Sequence, residues 1–488
     1  MLDPLPTDAA PTFSAPSASK RPKLAVVPRI DHRRILLVYP PTPGLTVMPP
    51  LGVGYLASVA MRSGFEVEII DLSRRHMSWG QFDEYLRRAR HALIGLSVST
   101  PNLHTAAYTA ARIRAARPDV PFVVGGIHVT CYPEKTVRDF GADYAFVHES
   151  EASFPRFLED LARGDDPVGR VPGVYANRGG RWTGLAPEPI GEIDPLPWPA
   201  WEQLAPDRYP PIPHQLFVKA FPVAPIMTTR GCPMNCSFCA TTRVFGKKIR
   251  RRRADDVIAE IDFLRRRFGI RELHFEDDNL TLHRGDAVRL FEAIIREQPG
   301  LWLKCPNGLM TVTLDRELLS LMKRAGMYQI SLGIETTSPD LMPTERKYLP
   351  NERVRSVVSM AKKAGLEVQG LFIAGLPGDT DEEFRHTVRD AVSMGLDLAH
   401  FGLHVPLPGS RDGDGIREDD LSALNFFTVH PVNHQRWTIN WKSLQRWAVL
   451  RFYLRARPLS ILMRRTKFRQ FPGVMKVFGR YVLGWGTT

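Results

Sequence analysis

Residues 229–239 read Thr229-Arg-Gly-Cys232-Pro-Met-Asn-Cys236-Ser-Phe-Cys239, which places three of the chain's five cysteines within eight positions. Gaps of three and then two residues let three thiolates wrap three corners of an iron–sulfur cube, leaving the fourth iron without a protein ligand. Structural zinc is the plainer alternative. It takes four ligands, and no fourth Cys or His stands nearby. The remaining cysteines, Cys131 and Cys305, are too few and too scattered for a disulfide scaffold.

Working outward, the triplet follows a strand-like run at 225–229 and opens a β/α series. Further strands are expected at 272–276, 302–305, 329–335, 368–374 and 398–405, with helices between them, for example at 257–267 and 354–364. Six β/α units are too few for a complete eight-fold barrel and fit a partial (β/α)6 barrel. Upstream, residues 187–225 hold 11 prolines in 39 positions and read as an extended linker. Before them, apolar runs at 35–39, 67–70, 93–98, 122–124 and 144–147 alternate with helical stretches such as 52–62 and 106–116. That alternation predicts an α/β, doubly wound parallel sheet of Rossmann-like type.

The expected organisation is a disordered leader (1–32), a first α/β domain (33–165), a Pro-rich linker (166–222), the partial barrel (223–410) and a basic, mainly helical end (411–488). Composition is globular, 43% hydrophobic and 24% charged, with no long apolar run and no secretory h-region, so a soluble cytoplasmic protein is expected. The net charge of +13 is local: no acidic residue follows Asp420, and the last 68 residues carry 12 Lys or Arg, leaving 53 basic against 52 acidic elsewhere. Such a balance argues against nucleic-acid binding by the whole molecule.

The cysteine segment resembles the signature of the radical SAM family, CxxxCxxC with an aromatic, Phe238, before the last Cys. Other features stand in the family's order at expected strand ends. Glu276-Asp277-Asp278-Asn279 is similar to the site that takes the SAM amino group, although it is acidic where many members have Gly-Gly-Glu. Glu335, in Gly333-Ile-Glu335-Thr, resembles the ribose-contacting position, and Phe372-Ile-Ala-Gly375-Leu-Pro-Gly378 the glycine motif beside the adenine. The resemblance implies a 4Fe-4S cluster held by Cys232, Cys236 and Cys239, with S-adenosyl-L-methionine chelating the open iron. Phe238, Asp277, Asp278, Glu335 and Gly375 would surround that SAM. Reductive cleavage would then give methionine and a 5′-deoxyadenosyl radical, a species the barrel must shield from water.

The first domain resembles the cobalamin-binding domains fused to such enzymes, on Tyr39-Pro-Pro, Pro50-Leu-Gly52, Ser97-Val-Ser-Thr100, Gly125-Gly126-Ile-His128-Val-Thr130 and Glu149-Ser-Glu151. The resemblance implies that Ser97, Thr100, Gly125, Gly126, His128 and Glu149 line the corrin at the carboxyl ends of the strands. The loop 39–52 has no histidine, so the D-x-H-x-x-G lower-ligand motif is missing and a displaced dimethylbenzimidazole is expected. For His128, packing or an amide contact is the stronger reading.

Cys305 and Cys131 read as packing residues; Cys305 is expected at the third barrel strand facing the cavity. Lys247, Lys248 and Arg250–Arg253 follow the cysteine loop, where they either start a solvated helix or attract an acidic donor or anionic substrate. The end of the chain joins 12 cations to 12 aromatics, among them Trp437, Trp441, Trp447, Phe452, Tyr453 and Trp485. It reads as a cap whose rings line a substrate chamber, as a basic amphipathic membrane-surface element, or as an RNA-binding tail.

The resemblance implies a cobalamin-dependent radical SAM enzyme that methylates an unactivated carbon of a small-molecule or lipid-like intermediate. Oxidative ring formation with the same cofactors is the alternative, and a non-catalytic corrinoid or iron–sulfur sensor the remote one. No catalytic side chain is identifiable. A flavodoxin- or ferredoxin-type electron donor, peripheral membrane contact and no nucleic-acid partner are expected.

Overall fold

The computed structural model describes residues 29–42, 47–74, 77–210, 218–297, 299–416 and 438–465. Of the expected leader, residues 1–28 lie outside the described residues. Its last residues are packed: Ile30 is buried and its N–H donates to the Leu161 carbonyl at 3.2 Å.

The first sheet is built from β1 (Arg34–Tyr39), β2 (Glu66–Asp71), β3 (Leu93–Ser97), β4 (Phe122–Gly125), β5 (Tyr144–Phe146), β6 (Val174–Arg178) and β7 (Arg181–Gly184), in spatial order 2-1-3-4-5-6-7. β1 to β5 are parallel, while β6 and β7 form an antiparallel hairpin on the edge. Successive residues of β1 point to opposite faces, Leu36 and Val38 into one apolar cluster and Ile35 and Leu37 into the other, as the strand period dictates. Helices Trp79–Arg88, Leu103–Ala116 and Pro133–Phe140 cover the first face, and Leu51–Arg62 and Ser153–Arg163 the second, which makes the sheet doubly wound.

The second sheet contains β8 (Val223–Ile226), β11 (Glu272–Phe275), β12 (Trp302–Leu309), β13 (Met327–Glu335), β14 (Glu367–Ala374) and β15 (Leu398–Leu403), all parallel, in order 15-14-13-12-11-8. Between β8 and β11 lies a short antiparallel ribbon, β9 (Thr229–Arg230) with β10 (Arg250–Arg251). Outward residues such as Leu273, Leu303, Ile330 and Val368 join one apolar cluster with the surrounding helices. Cys305 is fully buried in that outward cluster, where it packs but does not face the cavity as expected, because it shares the strand parity of Leu303. Residues of the opposite parity are polar yet enclosed: Glu272, His274, Lys304, Gln329 and Ser331 are 0% exposed, which strand hydrophobicity alone does not reveal. Burial of that kind requires pairing. Glu272 accepts from Tyr328 at 2.6 Å and from the Lys219 and Ala220 N–H groups, lies 2.8 Å from His274 Nε2, and so closes the floor of the barrel.

Residues 166–222 differ from the expected linker in two ways. They supply the β6–β7 hairpin, which extends the first sheet because an antiparallel pair can be joined by a tight turn, here Gly179–Gly180. They also pack as a wedge. Trp198 Nε1 donates to Asp256 at 2.9 Å and Trp201 Nε1 to Glu260 at 2.7 Å, while the Trp198 carbonyl accepts from Ser58 and Ala200 N–H donates to Gly54. A Cβ at Gly54 would stand 2.7 Å from Leu204 and 2.9 Å from Pro199, so glycine is what admits the wedge.

The described part of the basic end does not line a chamber. Helix Trp441–Tyr453 lies in the outer layer, where Trp441 meets Phe384 edge-on at 6.0 Å and Phe452 meets Phe401 at 6.1 Å. It also protects the edge strand β15, because Gln445 donates to the Phe401 carbonyl and Tyr453 to that of Ala399. Trp437 and Trp485 lie outside the described residues.

Candidate active site

The β9–β10 ribbon pins both ends of the cysteine loop. Arg230 pairs with Arg250 across it, and Cys232 N–H donates to the Gly246 carbonyl at 3.2 Å. Gly231 has φ 94°, and a Cβ there would lie 2.3 Å from the Lys248 carbonyl oxygen, so the turn into Cys232 requires glycine. Within the loop Ser237 is buried and clamped: its N–H donates to the Glu345 carbonyl, its hydroxyl to the Glu345 carboxylate, and its carbonyl accepts from Asp412 N–H at 3.1 Å. Cys232, Cys236 and Cys239 are partly exposed free thiols. Burial pushes the Cys236 thiol up to about 11, against the pull of the Lys347 ammonium. Among the described residues no three His, Cys, Asp or Glu converge on a single-ion site. Cluster ligands bind different irons and so stand farther apart than ligands of one ion.

Asp277, after β11, is 1% exposed, and its Oδ1 accepts from Thr228 N–H (3.1 Å), Thr228 Oγ1 (2.7 Å) and Thr229 Oγ1 (2.6 Å), which ties β11 to the root of the cysteine loop. Its Oδ2 and the Oδ1 of Asn279 are buried acceptors with no hydrogen-bond donor. Asp278 accepts from Thr241 at 3.2 Å, and burial raises its carboxyl to about 6.

Glu335 ends β13 with φ 65°, a left-handed conformation rare for glutamate, just after a register shift between Gly333 and Glu335. The turn presents its carboxylate to Lys347, whose Nζ donates at 2.8 Å and lies 5.8 Å from the centre of the Phe238 ring. A Cβ at Gly333 would stand 2.7 Å from that Nζ, so the missing side chain makes room for the pair. Lys347 was invisible in the sequence: it sits in an irregular stretch twelve residues from its partner, and no periodicity connects them.

Gly375, with φ 78°, donates its N–H to Asp379 Oδ2 at 3.0 Å, while Asp379 Oδ1 is buried without a donor. Burial, then the nearby Glu383 and Glu345 charges, push the Asp379 carboxyl up to about 7. A raised carboxyl pKa adds stability below its unfolded value near 4 and loses it as pH climbs through about 7, so the ionised form strains the fold at pH 8. Asp379→Asn is therefore expected to stabilise the apoprotein by about 1–3 kcal/mol at pH 8 and by nothing at pH 4. Thermal melts at the two pH values check this; equal gains at both would contradict it.

Across from the cysteine loop, a cavity of ≈ 300 Å³ opens between the carboxyl ends of β1, β3 and β4 and the helix Thr241–Phe245. Ser97, Gly125, Gly126 and Glu149, the residues expected around a corrin, line this cavity, together with His148 and Arg230, which the sequence reading missed. His148 has φ 61°, a feature of the turn after β5 that composition does not signal. A Cβ on Gly126 would lie 2.5 Å from the Val98 carbonyl, so the chains approach closely at this rim. Thr100 and His128 are not among the lining residues. They face each other at 3.1 Å between Oγ1 and Nδ1, because the 3-10 turn Thr100–Asn102 and the short helix Ile127–Cys131 rotate both inward. Burial depresses His128 to about 4, so its ring is neutral near pH 7.

Glu149 is committed elsewhere. Its two oxygens meet Arg230, at 2.8 Å, and Arg250, while Glu151 meets Arg230 at 2.7 Å; all four side chains are 4–7% exposed. The Arg230 guanidinium also lies over the Tyr55 ring at 4.8 Å. Arg230, which immediately precedes Gly231-Cys232, thus ties the root of the cysteine loop to the Glu149-Ser-Glu151 turn of the first sheet.

Residues 226–391 match the radical SAM superfamily and residues 45–158 the B12 binding domain. An uncharacterized methyltransferase of Pyrococcus horikoshii is 31% identical over 441 residues, spanning 87% of this chain and 94% of its own. The chain belongs to the cobalamin-dependent radical SAM methyltransferase family. This radical SAM enzyme accordingly takes a 4Fe-4S cluster, SAM and cobalamin as cofactors. Its fold matches that of the radical SAM methyltransferase TsrM from Kitasatospora setae, determined with cobalamin and cluster bound. The TM-score is 0.67 at 22% identity, over 80% of this chain and 78% of that one. The anaerobic magnesium-protoporphyrin IX monomethyl ester cyclase of Rubrivivax gelatinosus is 27% identical over 390 residues, 78% of this radical SAM chain and 69% of its own.

Proposed function

We propose that this enzyme methylates an unactivated carbon of a small-molecule or lipid-like biosynthetic intermediate. The observation that carries this reading is the junction at Arg230, which holds the root of the cysteine loop against the cavity of the first sheet. A methyl donor on one unit and a radical source on the other have to meet over one substrate.

The residues fit the three groups. Three thiols on a loop pinned at both ends form a soft donor set suited to iron and sulfide. The orphan acceptors Asp277 Oδ2 and Asn279 Oδ1 suit a buried ammonium such as the amino group of SAM. The glycine rim and the largely apolar wall of the cavity suit one arm of a corrinoid, whose bulk must remain outside so small a space. When bound, cluster and SAM would supply an oxidant able to take hydrogen from an unactivated C–H bond, and cobalamin the methyl group.

Around them the chain positions and shields. Cys232, Cys236 and Cys239 hold the cluster, while Ser237, gripped by Glu345 and Asp412, fixes the loop between the second and third ligands. Asp277 and Asp278 would take the amino group of SAM, Glu335, held by Lys347, would take the ribose, and the Gly375 backbone and Phe238 would take the adenine side. Ser97, Gly125 and Gly126 bound the corrinoid, with Glu149 acting through the arginines it pairs. Thr100 and His128 support that rim from behind. Electrons come from a flavodoxin- or ferredoxin-type donor, whose acidic face the exposed Lys247, Lys248 and Arg253 complement. Peripheral membrane contact suits a lipid-like substrate, and among the described residues no helix is long and apolar enough to cross a membrane.

Ring formation with the same cofactors is the second reading, favoured by the cyclase relative. Incubation with methyl-labelled SAM and candidate substrates separates the two. Label in the product supports methylation; a product of unchanged carbon count overturns it in favour of the ring-forming reading. Failure to form any 5′-deoxyadenosine would leave only a sensor.

A further inference from the structure

Single exposed hydrophobic side chains are ordinary on a folded enzyme, whereas several grouped together mark an interaction surface. Among the described residues eight are exposed, and three of them fall within ten positions: Leu454 at 73%, Leu459 at 43% and Met463 at 72%. Leu459 and Met463 are four apart on helix Ala456–Arg465 and so share a face, while Pro458 is buried on the other side. Arg457 and Arg464, seven apart, fall together on one side of this apolar stripe, about 120–140° round the helix from its centre at 100° per residue.

The surroundings are cationic as well. Arg355, Lys362, Lys363 and Arg457 line an open cleft of ≈ 440 Å³ beside the same helix. Two acids answer them: Asp390, paired with Arg355 at 2.8 Å, and the fully buried Asp397, paired with Arg457 at 2.6 Å. Lys363 and Arg464 remain exposed, and no acidic residue follows Asp420 in the sequence. The Arg457–Asp397 pair, with Arg455 donating to the Val392 carbonyl at 3.1 Å, fixes the helix to the outer layer of the barrel.

We infer that the face formed by Leu454, Leu459 and Met463, with its rim of Arg464 and Lys363, docks the enzyme on an anionic lipid surface. An apolar stripe with a cationic edge along one side matches the acyl boundary and the negative headgroups together. A single-stranded nucleic acid asks for exposed stacking rings instead. Here the exposed side chains are aliphatic, and the aromatics Trp441 and Phe452 of the preceding helix are buried. The inference deepens the membrane-proximal part of the proposed function and does not depend on the chemistry of the site.

The test is co-sedimentation of the full-length protein with vesicles of phosphatidylcholine alone and of equimolar phosphatidylcholine and phosphatidylglycerol. Binding is expected to the anionic vesicles only, weakening as salt is added. The triple variant Leu454→Ser, Leu459→Ser, Met463→Ser is expected to lose most of it with an unchanged melting temperature, because those side chains are exposed. The pair Lys363→Gln and Arg464→Gln is expected to lose the anionic preference. Absence of binding to either vesicle overturns the inference, as does equal binding by the triple variant, which would shift the contact to residues 466–488. A concentration-dependent dimer that the triple variant dissolves also overturns it. SAM cleavage in vesicle-free buffer is read separately, so an active enzyme that ignores vesicles removes the docking face and leaves the proposed function standing.

Discussion

Cys236→Ala is expected to yield a folded chain that holds almost no iron, where the reconstituted parent holds about four irons per cluster. The thiol is partly exposed on a loop fastened through Ser237 and the β9–β10 ribbon, so its removal leaves the apolar core untouched. The cluster, by contrast, loses one of three protein ligands, and 5′-deoxyadenosine formation should fall to background. Cys305→Ala is the matched control. Cys305 lies fully buried in the aliphatic cluster of the barrel, so its truncation should cost about 1 kcal/mol of stability while iron content stays at the parental value. Iron and sulfide analysis with unfolding curves reads both; iron retained by Cys236→Ala would remove that residue from the ligand set.

Arg230→Met is expected to cost about 3–5 kcal/mol, since it removes one of two cations from buried Glu149 and the paired cation from buried Glu151. Arg250 still faces Glu149, but Glu151 then keeps no cation among the pairs described. Combining Arg230→Met with Glu151→Gln should recover part of the loss, because it removes the stranded charge; a double-mutant cycle in urea measures the coupling. Buried ion pairs contribute more to geometry than to net stability. The double variant is therefore expected to cleave SAM while transferring methyl poorly, as the two units lose their fixed relation. Full transfer by the double variant would show that the junction positions nothing.

Much of this architecture was legible because its signals are local. The cysteine spacing, the apolar strand runs and the proline-rich stretch each declare themselves within a dozen residues. The side-chain constellation was less legible because its partners are remote. Arg230 and Glu149 are 81 positions apart, Ser237 and Asp412 are 175 apart, and no periodicity links residues that meet through folding alone. Thr100 and His128 were placed at the right strand ends, but the turns that follow those strands aim them at each other. The polar barrel floor escaped notice for a related reason: Glu272 and His274 alternate with Leu273 and Phe275, which a reading for apolar runs takes as a single buried strand. Trp441 and Phe452 could equally have served a cap or a core from composition, and contact with β15 decides for the core.

The most direct measurement is reconstitution without oxygen, using iron, sulfide and hydroxocobalamin, followed by reduction in the presence of SAM labelled in its methyl group. The account predicts that label moves from SAM to the protein-bound corrinoid and that 5′-deoxyadenosine accumulates, with the second product lost in Cys236→Ala. Bound zinc in place of iron and sulfide, or label that never leaves SAM, would contradict it.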